Sequence, residues 1–153
     1  MRQRRHQCGL ALVEFALTMG FLLAAVFGIT EFGRAIYQYD TLAKAARDAA
    51  RYLSSKTPGD AASISVATCL AVYGRTVCSG APLATGLTTA MVSVCDASSC
   101  ASTNHAQGSA PVQDFVTVTI GGGAHPFVFS SMMPSIVPNI TFGAIRATMR
   151  QGT

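Results

Sequence analysis

Residues 10–30 read LALVEFALTMGFLLAAVFGIT, an apolar run interrupted by one charged side chain, Glu14. As an α-helix with a rise of 1.5 Å per residue the run is roughly 31 Å long, enough to cross a hydrocarbon core of about 30 Å. Its length and composition favour a membrane span over the buried helix of a soluble domain. Glu14 is the anomaly, because an acidic residue at the centre of a spanning helix costs about 2.5–3.5 kcal/mol, and less toward an end. The carboxylate needs either a compensating partner or a snorkelling path to the interface.

On the N-terminal side, Arg2, Arg4 and Arg5 precede the run, and short basic flanks are retained on the cytoplasmic side of a membrane. The N-terminus is therefore expected inside. A cleaved secretory signal shares the basic start, but its apolar core is about 7–15 residues and ends in a small-x-small site. The run here is longer, and the neighbourhood of Ala24, Ala25 and Gly28 offers only a poor site of that kind. Cys8, between Gln7 and Gly9, lacks the preceding small and apolar residues that lipidation needs.

Gly9, the apolar Leu10, Ala11, Leu12 and Val13, then Glu14 and Phe15 resemble the processing motif of type IV prepilins. The stretches Gly28-Ile29-Thr30-Glu31-Phe32-Gly33-Arg34, Tyr37, and Ala45-Ala46-Arg47-Asp48-Ala49-Ala50-Arg51-Tyr52 resemble the TadE-like minor pilins of the tight-adherence (Tad/Flp) system. The likeness is close over the first third of the chain and holds in outline beyond it. It implies a single-pass protein of the bacterial inner membrane, whose leader a prepilin peptidase cuts between Gly9 and Leu10. The implied partners are that peptidase, other pilins and the pilus assembly machinery.

After such a cut a new amine stands on Leu10, one helical turn from Glu14, and the carboxylate can pair with it or with that of a neighbouring subunit. Phe15 would fill a groove beside the pair. Major pilins of the system are similar at the N-terminus but much shorter, so the extra globular part implies a minor component. An alternative of another class is a membrane-anchored extracytoplasmic binding module that keeps its N-terminus.

Beyond the membrane segment the helical pattern continues. Phe32, Ile36, Tyr39, Leu42, Ala43, Ala46, Ala50 and Leu53 recur at three- and four-residue spacing, with Asp40, Lys44 and Asp48 four apart on the polar face. One helix from Leu10 to Leu53 would measure on the order of 66 Å. Gly20, Gly28 and Gly33 cost it about 1 kcal/mol each relative to alanine, a cost that close packing or local bending would explain. Pro58-Gly59 ends it.

After Gly59 the chain changes to short apolar runs between Gly, Ser, Pro and Asn. Residues 60–73 read as a helix capped by Asp60, with Ile64, Ala67, Leu70 and Ala71 on one face. Met91–Val94, Phe115–Ile120 and Ile140–Met149 read as strands, and Pro126, Pro134 and Pro138 exclude a long helix between the last two. The expected fold is α+β, a short antiparallel sheet laid on the upper half of the long helix. The organisation is a leader (1–9), a transmembrane half-helix (10–30), an extramembrane half-helix (31–55) and a small extracytoplasmic α+β domain (56–153).

Loss of the leader removes Cys8 from the five cysteines and leaves Cys69, Cys78, Cys95 and Cys100 in an oxidising compartment. Four cysteines allow three connectivities, of which the local pairs Cys69–Cys78 and Cys95–Cys100 are the simplest. A zinc site is the rival, though paired CxxC spacing is absent and Ser98–Asn104 reads as a polar, flexible stretch.

No enzyme chemistry is expected. His6, His105 and His125 have no acid or nucleophile at triad spacing, and Gly121-Gly122-Gly123 reads as a turn or hinge, without the motif of a phosphate loop. No cofactor, metal, nucleic acid or small-molecule substrate is implied. Arg2, Arg4 and Arg5 supply three of the eleven basic residues, leaving eight against seven acids. The basic character belongs largely to the leader, and Arg34, Lys44, Arg47 and Arg51 interleave with acids as on a solvated helix face.

Overall fold

Helix α1 runs unbroken from Gln7 to Leu53 in the computed structural model, which describes residues 7–106 and 113–151. The leader residues Arg2, Arg4, Arg5 and His6 lie outside the described residues. At 47 residues the helix is about 70 Å long. Among the described residues no neighbouring element comes within 4 Å of a Cβ position at Gly20, Gly28 or Gly33, so none packs closely there.

The upper half of α1 buries Leu42, Ala45, Ala46, Ala49, Ala50 and Leu53. Alanine combines high helix propensity with a small side chain, so other elements approach the backbone closely. Further down, the stripe is rotated from the expected one: Phe32, Ile36 and Tyr39 are 59%, 49% and 46% exposed, while Glu31 and Ala35 are buried. Glu31, Ala35, Leu42, Ala46, Ala49 and Leu53 keep a constant helical spacing, so the buried face continues straight down α1. Hydrophobicity alone pointed one residue away, because a carboxylate occupies the bottom of the true face.

Helix α2, Ala61–Tyr73, returns along α1. Asp60 caps it, accepting from the Ala62 and Ser63 amides and the Ser63 hydroxyl. These hydrogen bonds, that of the Ser63 side chain foremost, hold the Asp60 carboxyl below its ordinary pKa. Ala67, Ala71 and Val72 join the core, with Ile64 and Leu70 partly buried against it.

The central strand is β3, Gln113–Ile120, flanked on one side by β6, Ile145–Gln151, in antiparallel register from Asp114↔Gln151 to Ile120↔Ile145. Alternation decides the faces. Val116, Val118, Ile120, Ile145 and Ala147 point into the core, while the Thr117 and Thr148 hydroxyls meet at 2.9 Å on the outer face.

The other edge of β3 pairs first with β1, Val92–Cys95, and farther along with β2, His105–Ala106. Both run antiparallel to β3, so together they form one edge strand from which residues 96–104 are pinched out. That loop holds the short helix α3, Ala101–Asn104, where the sequence reads as a flexible stretch. A 3₁₀ turn, Thr89–Met91, occupies the expected start of β1.

The expected strand Ile140–Met149 is two strands in two sheets. Its first part, β5 (Ile140–Thr141), pairs with β4 (Val128–Phe129), and its second part is β6. The break comes at Phe142, whose amide donates to Phe127 O at 2.9 Å and whose ring packs on Tyr39, Phe127 and Phe129 at centroid distances of 5.6, 5.5 and 6.4 Å. This aromatic cluster holds the hairpin on α1. The glycine run before it is a turn: Gly121 has φ +64°, and a Cβ there would lie 2.9 Å from the Phe127 nitrogen, so only glycine fits.

Candidate functional site

Every residue of α1 from Gly9 to Phe27 is exposed. Leu10, Phe15 and Phe21 are 73%, 61% and 77% accessible, and α1 is the one described helix long and apolar enough to cross a membrane, with its most apolar window wholly unburied. No other described element covers this half. Exposed apolar area on this scale requires another low-dielectric environment, a bilayer or other helices.

Gly9 and Leu10 lie in the first turn of this rod, with Glu14 and Phe15 in the next. Leu10 and Glu14, four apart, share a face with Cβ atoms about 5–6 Å apart. The Glu14 carboxylate is exposed and has no hydrogen-bond or ion-pair partner among the described residues. The Thr18 hydroxyl, by contrast, is satisfied within the helix, donating to Glu14 O at 3.0 Å and Phe15 O at 2.9 Å.

A second carboxylate, Glu31, marks the other end of the bare segment, and its chemistry is opposite. Glu31 is 5% exposed, with Arg34 Nη1 at 2.7 and 2.9 Å from its two oxygens and the Met132 amide donating to Oε2 at 3.4 Å. Arg34 also lies over the Phe129 ring, 5.5 Å from its centroid. A buried charge is tolerated when paired and hydrogen-bonded, so Glu31 and Arg34 fasten the β4–β5 hairpin to α1. Sequence reasoning placed Arg34 on a solvated face and missed Glu31 as a buried anchor; acid and base three apart was the available signal.

The far end of the globular part is tied by two polar side chains that sequence reasoning also missed. Gln151 Nε2 donates to Leu53 O at 3.3 Å and Lys56 O at 2.8 Å, the first carbonyl also accepting from the Lys56 amide, so the side chain ties β6 to the turn that ends α1. Asp96 is buried and accepts from the amides of Gly59, Ser98 and Ser99 and from the Ser99 hydroxyl, at 2.7–3.1 Å. Burial pushes its carboxyl up, and the hydrogen bonds from Ser99, Gly59 and Ser98 outweigh that and hold it below the ordinary carboxylate pKa. Asp followed by Ser two and three residues on is a legible turn signal; its long-range bond to Gly59 is not.

Cys69 is bonded to Cys78 and Cys95 to Cys100, with Cα separations of 4.7 and 5.4 Å. The first bridge ties α2 to the loop after it, and the second joins the end of β1 to Cys100 within the pinched-out 96–104 loop. His125 sits in the turn after β3, exchanging backbone hydrogen bonds with Gly122.

No curated protein and no solved structure matches the chain. A family model, TadE-like protein, matches residues 9–51, which is α1 from the first turn of the bare rod to the end of the buried alanine face, and leaves the globular part outside the match. Over that helix, somewhat more than a quarter of its length, the chain is similar to the TadE-like protein family.

Proposed function

We propose that the chain is a non-enzymatic minor pilin, or pseudopilin, of a Tad/Flp-type adhesive pilus. It is cut after Gly9 by a prepilin peptidase, held in the bacterial inner membrane with its N-terminus cytoplasmic, and then assembled with other pilins through the bare half of α1. The carrying observation is the unpartnered Glu14 carboxylate on an otherwise apolar, uncovered rod. A cut after Gly9 puts an ammonium group on Leu10, on the same face and one turn away, or offers that of a neighbouring subunit. Pairing between subunits sets their axial register.

The scissile bond lies inside the first turn of α1, so cleavage requires local unwinding. Glycine at position 9 lowers that cost, since it is about 1 kcal/mol less favourable in a helix than alanine. N-terminal sequencing of the membrane-extracted protein, from cells with and without the peptidase, tests the reading. A peptidase-dependent start at Leu10 is expected; an intact leader in both would favour an anchored binding module instead. Gly9→Leu should block the cut, whereas Glu14→Ala should be inserted and cleaved but fail to enter the pilus machinery. Normal piliation by Glu14→Ala would refute the pairing role.

A further inference from the structure

The globular part has two chemically distinct ends. At the lower end, where β3 finishes at Ile120 beside Val92 and Ile145, the chain forms two long excursions, 76–91 and 121–144. Neither these nor the strand segments continuing them, through 76–95 and 115–145, contain any Asp, Glu, Lys or Arg. Among the described residues, the exposed large hydrophobic side chains outside α1 are Val77, Leu83, Val128, Met132 and Ile136. All five lie in those two uncharged stretches. At the upper end stand Lys56, Asp60, Asp96, Asp114 and Arg150, and no exposed large hydrophobic side chain among the described residues.

The excursions embrace α1 just where its bare segment ends. The Met132 amide is bonded to Glu31. A groove of about 440 Å³ between Gly33, Arg34, Tyr37 and Pro82–Ala84 places the other excursion at the same level, and Arg34 and Gln38 lie between Thr85 and Ser130–Met132. The residues of the two excursions are themselves uncharged, with Arg34 of α1, Arg75 before the first and Arg146 after the second standing beside them, and their apolar surface forms a rim continuous with that of the membrane-length helix they surround.

We propose that this rim is a membrane-docking surface, with Met132 and Ile136 seated in the boundary between headgroups and acyl chains of the bilayer that α1 spans. Apolar side chains on such surfaces enter about 5–10 Å, the absence of charge within the excursions lowers the cost of bringing them there, and the flanking arginines can keep their guanidinium groups at the headgroups. The Glu31–Arg34 pair fixes the height of the hairpin on α1, so seating the rim also fixes how far the helix is drawn out of the membrane. The proposal rests on the reading of residues 10–30 as a membrane span.

The chain has no tryptophan, so one introduced indole reports alone. Full-length Met132→Trp, Ile136→Trp, Phe21→Trp and Thr57→Trp proteins are reconstituted in phosphatidylcholine vesicles with plain or brominated acyl chains, and fluorescence is compared. Phe21→Trp tests the span itself, and Thr57→Trp stands beyond Leu53, roughly 33 Å along α1 from Glu31. The expected result is strong quenching at Phe21, loss of about half the emission with a blue shift at Met132 or Ile136, and none at Thr57. Quenching at Phe21 with positions 132 and 136 both behaving like 57 would overturn the docking surface, leave the span standing and give the rim to a protein partner. No quenching at Phe21 would remove the span and the inference with it.

Discussion

The two halves of α1 are one continuous helix with opposite relations to the rest of the chain. Above Glu31 the helix is the central element of a core, with Leu42, Ala46, Ala49 and Ala50 fully buried against α2 and the sheet. Below it, larger and more apolar side chains are left exposed by the described residues. Hydrophobicity therefore does not say where the fold is held together. The small residues of the upper half hold it, and the large residues of the lower half are reserved for an environment outside it.

The greatest effect on stability is expected in the upper half. Leu42→Ala removes a fully buried side chain and should cost about 2–5 kcal/mol, read as a lowered denaturation midpoint in mild detergent with disulfides intact. A loss under about 1 kcal/mol would break the comparison, because the core would then not depend on the α1 face.

Glu31→Ala comes next. It leaves the half-buried Arg34 guanidinium and the Met132 amide without their acceptor, at a cost of about 1–3 kcal/mol. Amide exchange should quicken most at 130–133, and a uniform change across β3 and β6 would argue against a local fastening role.

Asp96 sharpens the contrast through pH. Its carboxyl is held below the ordinary value, so its contribution is fully present above the unfolded carboxylate pKa of about 3.9 and is lost as pH falls through the lower folded value. Asp96→Asn should melt lower than the native protein above about pH 5, with the gap closing as pH drops below about 4. A gap independent of pH would remove the charged carboxylate from the explanation. The smallest effect belongs to the bare half: Leu17→Ala, at a residue 73% exposed, should move the melting of the globular part by under about 0.5 kcal/mol. A larger shift would mean that the rod contributes to the fold after all.

Much of this architecture was legible in local sequence. The α2 cap at Asp60, the α1 end before Pro58-Gly59 and the alternation of Phe115–Ile120 each depend on residues a few positions apart. The glutamate that stands out in the apolar run was equally legible, because its cost in hydrocarbon does not depend on the fold. The failures share a cause. Glu31 is buried only because Met132, far away in sequence, arrives to bond it, and the helix face rotates accordingly. Ile140–Met149 reads as one strand, yet Phe142 finds Phe127, Phe129 and Tyr39 and bends the chain out of the sheet.

By itself, the sequence determined the long helix, the bare membrane-length segment with its lone carboxylate, and the α+β class, all of which follow from spacing and composition within a turn or a strand. Only the tertiary structure decided which face of the upper helix is buried, how residues 96–104 leave the sheet edge beside the Cys95–Cys100 bridge, and which end of the globular part gathers the exposed apolar side chains. The physical reason is that the side chains deciding these features are satisfied by partners many residues away, and a partner's position is a property of the folded chain.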